Sequence, residues 1–142
     1  MIDITAAAIA TMISSTIATS VAIRINKHNT VKNLNDQLDN ILKIAIQYPY
    51  LESPLFCNSW LDNKDSEDER YLRYENYCTL IFNYLERLSK FHKFDTKRIQ
   101  QDLNVKGWIR VHSSCWSNPS VPFENADGYD PRFKQIIEDY IK

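Results

Sequence analysis

Residues 4–23 read ITAAAIATMISSTIATSVAI, twenty positions without a charge, a proline or a glycine. At about 1.5 Å per residue, a helix of that length spans roughly 30 Å, the hydrocarbon thickness of a bilayer. Seven positions are large and apolar (Ile4, Ile9, Met12, Ile13, Ile17, Val21 and Ile23), six are alanine and seven are serine or threonine. Only Asp3 carries charge before Arg24, Lys27 and Lys32 close the run. By the positive-inside rule, the C-terminal side then stays cytoplasmic and the N-terminus faces out. A cleavable signal peptide needs a basic region before its apolar stretch, and none is present. The expectation is an uncleaved single-pass transmembrane anchor over residues 1–25, with membrane lipid as a partner.

Small residues recur every four positions in this run, at Ala6, Ala10, Ser14, Ala18 and Ala22. That spacing lets membrane helices approach closely, so these five are the expected self-association surface of a homo-oligomer. The alternative is an Ala/Ile-rich helix of a soluble accessory or inhibitor subunit, packed into a groove of a larger partner protein.

No helix breaker occurs before Pro49. Val31, Leu34, Leu38, Ile41 and Ala45 alternate steps of three and four, which is a short heptad seam. A connecting amphipathic helix is expected over residues 26–48. Joined to the anchor, it makes one helix of about 45 residues, near 70 Å long. The seam packs either on the C-terminal domain or between chains.

The rest, residues 49–142, reads as an aromatic-rich cytoplasmic helical domain. Counted from Tyr50, it holds 16 of the 17 Phe, Trp and Tyr residues. Ser53-Pro54 is a helix start with proline in the first turn. Ser66-Glu67-Asp68-Glu69 matches a capping box ahead of a helix over 67–92, with Tyr71, Tyr74, Cys78, Ile81, Leu85 and Leu88 on its inner face. Asp95 caps a helix from Thr96 to about Asn104. Val105–Trp116 carries further buried candidates, although Gly107 weakens a helix there. Asn118–Gly128 reads as a loop, and Asp130-Pro131 starts the last helix. No stretch alternates like a strand, so the fold class is all-α: a long N-terminal helix, then a domain of four or five helices.

The composition excludes several functions. Seventeen basic against 18 acidic side chains give a net charge of −1 and no case for nucleic acid. Two glycines rule out a Gly-rich phosphate loop. Cys57, Cys78 and Cys115 are too few and too widely spaced for a disulfide framework. His112 and Cys115 form a single pair, whereas zinc motifs bring pairs from both halves of the site. Glu67, Asp68 and Glu69 suit a helix start, and Glu75 and Glu86 lie roughly 16 Å apart along one helix, too far for a carboxylate dyad. Either of those two, if buried, is expected to pair with a tryptophan or tyrosine. No catalytic motif is present. The expectation is a non-enzyme with no cofactor, no metal and no small-molecule substrate. Trp108, His112, Trp116 and Tyr129 are candidates for partner binding or for the core.

Four stretches carry a resemblance: Tyr48-Pro49-Tyr50-Leu51, FNYLERL (82–88) with Asn83 and Glu86, WIRVHSSCW (108–116) and NADGYDPRF (125–133). With the anchor, the layout resembles small bacterial membrane-anchored helical proteins of unknown function, some of them labelled as phage-abortive-infection or defence-associated. The resemblance implies an inner-membrane protein with a cytoplasmic protein-binding domain, acting as a membrane effector in antiviral defence. It assigns no catalytic residue.

Overall fold

The computed structural model describes residues 4–64, 67–118 and 128–142, with side chains from Ser15 onward apart from Asp102. Among the described residues every regular element is a helix. The first, α1 (Ile4–Gln47), is a single helix of 44 residues. It has no internal proline or glycine and stops just ahead of Pro49, because the residue before proline avoids helical backbone. A 3-10 turn (Pro49–Glu52) leads into α2 (Pro54–Asn63), α3 (Glu69–Phe91), α4 (Thr96–Asp102), α5 (Val105–Val111), α6 (Ser113–Ser117) and α7 (Pro131–Ile141). Among the described residues, six α-helices and a 3-10 turn thus follow α1, where four or five helices are expected.

The transmembrane anchor is not supported. Among the described residues, no helix is long and apolar enough to cross a membrane. Charge-free length is present, but seven Ser/Thr and six Ala dilute seven large apolar residues. The hydroxyls of Thr19 and Ser20 donate back to the carbonyls of Ser15 and Thr16, which satisfies them without making the segment apolar. The expected anchor over 1–25, the lipid partner, the inner-membrane location with its N-out orientation, and the membrane-effector function all fall with it.

The chain divides into two compact units, Met1–Asn35 and Asp36–Lys142. The boundary lies inside α1, whose residues 36–47 fall in the second unit, the body. Of the expected seam, Leu34 and Ile41 are buried, Leu38 and Ala45 half-buried, and Val31 exposed.

Within the body, α3 is the central element. Tyr74, Tyr77, Cys78, Ile81, Phe82, Tyr84, Leu85 and Leu88 are all buried, a stripe wide enough to receive neighbours on several sides. α2, α4 and α6 pack on α3, α6 also packs on α2, and α7 lies on α5. Helix starts are fixed by local side chains. Asp68 accepts from the Arg70 amide, Asp95 from those of Lys97 and Arg98, Asn104 from that of Gly107, and Asp130 from that of Arg132. Each such cap contributes about 1 kcal/mol. The cap of α3 is Asp68, two residues later than the expected box begins, and Ser66 lies outside the described residues. Most of the expected loop over Asn118–Gly128 does as well.

Two further contacts close the body. Glu86 accepts the Asp130 amide at 2.7 Å and pairs with Lys90 at 2.9 Å, tying the start of α7 to α3. After α3 the chain turns through Lys93 and Phe94, both left-handed at φ 55° and 62°. Neither is a glycine, so each carries a steric cost of about 1–2 kcal/mol. The Phe94 amide bond to Ser89 O at 2.7 Å and the Arg132 guanidinium 4.0 Å above the Phe94 ring hold the turn.

Candidate functional site

Two features of the molecule carry chemistry: an exposed helix face and a buried polar cluster. The face lies on the first unit. Ile17, Val21 and Ile25 stand at i, i+4 and i+8, with 59%, 49% and 55% of their surface in water. Residues four apart stack on one side of a helix, so the three make a continuous apolar ridge. A shallow groove runs beside it, lined by Thr16, Ile17, Ser20, Val21 and Arg24. On the other flank lie Ala18 and Ala22, both exposed. Ala6, Ala10 and Ser14 belong to the same helix, and their side chains lie outside the described residues. From residue 4 to residue 35 the charged side chains are Arg24, Lys27 and Lys32, with no carboxylate among them.

The buried cluster centres on His112, which ends α5 and is fully enclosed. Its Nδ1 lies 3.0 Å from Tyr74 Oη, and the sulfurs of Cys78 and Cys57 stand 3.8 and 3.9 Å away. Its Nε2 faces Glu52 Oε1 at 3.5 Å. The same carboxylate oxygen accepts the Trp108 indole N–H at 2.9 Å and the Tyr77 hydroxyl. A proton on Nε2, with Nδ1 accepting from Tyr74, is the assignment that suits both ends of the ring. Burial pushes the Glu52 carboxyl upward, but the facing His112 ring and the hydrogen bonds from Tyr77 and Trp108 outweigh it and hold Glu52 below its ordinary value.

Thiol, imidazole and carboxylate in sequence resemble a nucleophile, base and orienting group. The environment opposes that use. Cys57, Cys78 and His112 are completely buried. Burial pushes the Cys57 thiol to about 11 and the Cys78 thiol well above the usual range. A nucleophilic cysteine needs the reverse shift, toward the thiolate. Nor do the described residues contain a group of three or more His, Cys, Asp or Glu arranged to hold a metal ion. The cluster joins the 3-10 turn, α2, α3 and α5 through polar contacts.

The four candidates for partner binding or core separate into two places. Trp108 and His112 join the Glu52 cluster. Trp116 packs among Phe82, Tyr129 and Phe133 at ring distances of 4.9, 5.4 and 6.0 Å. Tyr129 is buried and donates to Asn83 Oδ1 at 3.1 Å. Glu52 was not among the expected residues. Glu52 accepts from Trp108, and Glu86 binds the backbone of Asp130. A lone carboxylate between Tyr48-Pro49-Tyr50-Leu51 and Ser53-Pro54 was the available signal.

The chain has no significant match among protein-family models, curated proteins or solved structures, so the exposed face and the buried cluster stand as the basis for a functional reading.

Proposed function

We propose that this chain is a non-enzymatic protein-binding module. In this reading the helical body supplies a stable platform, and the N-terminal part of α1 docks by its apolar ridge into a groove on protein, as an accessory or inhibitor subunit does. The observation that carries it is the exposed row Ile17–Val21–Ile25 on a helix that its own sequence does not sustain. Eight of the 17 residues from Ser15 to Val31 are β-branched. At about 0.5 kcal/mol each against alanine, they cost the helix about 4 kcal/mol in propensity. Helices in water draw most of their stability from packing an apolar face. A protein groove would supply that packing for residues 15–31.

A photo-crosslinking amino acid at Ile17, incorporated in the native host, tests the reading. A discrete protein adduct is expected. It should disappear when Val21→Asp is added, and it should be absent when the same group stands at the exposed Glu138. Failure to form any adduct at Ile17 would exclude docking through this face.

A further inference from the structure

Apart from the exposed face and the buried cluster, the geometry points to a binding cleft for a small carboxylate on the body, independent of how the first unit docks. The cleft lies between α3 and the part of α1 that belongs to the body. On α1 it is lined by Gln37, Asn40, Ile41 and Ile44. On α3 it is lined by Leu80, Asn83, Tyr84 and Arg87. Both sets are spaced i, i+3, i+4, i+7, which puts each on one helix face. Stripes that only hold two helices together are apolar at this spacing. Here two positions of four on each side are polar. Ile41 and Tyr84 are buried and form the floor, with half-buried Ile44 and exposed Leu80 beside them.

The fold makes little use of the polar side chains. Gln37, Asn40 and Arg87 have no side-chain hydrogen bond or ion pair among the described residues. Asn83 accepts from Tyr129 through Oδ1 at 3.1 Å, which orients its amide and leaves the Nδ2 donor open. In residues 36–142, Arg70, Arg73, Arg98, Arg110 and Arg132 each hold a carboxylate or a backbone carbonyl. Arg87 is the exception among the described residues, and no carboxylate lines the cleft.

The chemistry of the occupant follows. A guanidinium with its whole fork free recognises a carboxylate through two parallel N–H···O bonds. The neighbouring amides can donate to the same anion. The cleft has a volume of about 180 Å³. An apolar cavity of about 150 Å³ holds one benzene ring. The ligand class is therefore a monocarboxylate whose apolar body is the size of a single ring. A free acid and the aromatic C-terminal residue of a peptide share that chemistry.

Titration of the full chain with hydrocinnamate, read by backbone amide NMR, tests the cleft. A ligand of about eleven heavy atoms in an open cleft is expected to bind with a Kd of about 0.1–1 mM. The amides of residues 37–44 and 80–87 should shift. Hydrocinnamamide keeps the ring without the charge and should bind about tenfold more weakly. Arg87→Gln should bring the acid to the level of that amide. The Arg87 side chain is exposed and unpaired, so the variant should keep wild-type stability to urea. N-acetylphenylalanine separates the two sources. Tighter binding than hydrocinnamate assigns the cleft to peptide chain ends, and weaker binding assigns it to free acids. Equal affinity for acid and amide, an unchanged Kd in Arg87→Gln, or no shift at these residues at about 10 mM acid overturns the proposal.

Discussion

Removing the Glu52 carboxylate is the sharpest perturbation of the body. Glu52→Ala leaves the Tyr77 hydroxyl and the Trp108 indole N–H without their shared acceptor, and His112 Nε2 without the group it faces. A buried donor left unpaired costs about 1–3 kcal/mol. Tyr77 is 1% exposed and carries that cost in full, while half-buried Trp108 recovers part of its bond from water. A total near 3 kcal/mol is expected for the alanine variant, out of the about 5–15 kcal/mol typical of a small domain. Glu52→Gln keeps an acceptor oxygen but loses the charge, for about 1–2 kcal/mol. The sign with pH follows from the lowered Glu52 value. A carboxyl held low when folded stabilises fully above its unfolded range, and that contribution fades as pH falls through the folded value. The gap between wild type and Glu52→Gln should therefore be largest near neutrality and narrow below about pH 4. Urea unfolding followed by tryptophan fluorescence at neutral and acid pH measures it. An alanine variant within about 0.5 kcal/mol of wild type would refute the shared-acceptor role, that being the ordinary scatter of surface changes. A Gln gap unchanged by acid would refute the charge assignment.

Two other outcomes follow from the packing. Lys93→Gly should stabilise the chain by about 1 kcal/mol in the same urea assay, because glycine removes the left-handed penalty at φ 55°. A loss of stability would show that the Lys93 side chain contributes more than its backbone costs. Cys57, Cys78 and Cys115 should resist a thiol reagent such as DTNB in the native chain and react together once it is denatured. Fast labelling of any one of them under native conditions would contradict its burial.

Local signals were the readable part of the sequence. Asp95 and Asp130-Pro131 mark helix starts because capping involves neighbours within a few residues, and Ser53-Pro54 marks another through proline in the first turn, without a side-chain cap from Ser53. The uninterrupted α1 was equally plain, since nothing between Ile4 and Gln47 breaks a helix. Its environment was not. Length and absence of charge suggested a membrane, whereas hydropathy averaged over alanines and hydroxyls falls short of a span. Position 112 was opaque for another reason. The α5–α6 break at His112 involves no proline or glycine, and it turns the imidazole toward groups from residues 52, 57, 74 and 78. Such convergence arises only once the helices are packed. Gly107 looked like a weakness in a helix, yet a Cβ there would sit 2.7 Å from Asn104 Nδ2, the side chain that caps α5.

The continuity of α1 across the two units has a kinetic side. Starting a helix from coil is disfavoured by a factor of about a thousand, near 4 kcal/mol, while each later residue merely extends it. The turns from Asp36 to Gln47 belong to the body and are formed whenever the body is folded. The upstream residues thus inherit a template and never bear the starting penalty. A surface docking on the ridge meets a helix already under way, and its contacts need only offset extension. The length of helix in use then becomes adjustable turn by turn, set by how much of the ridge the partner covers.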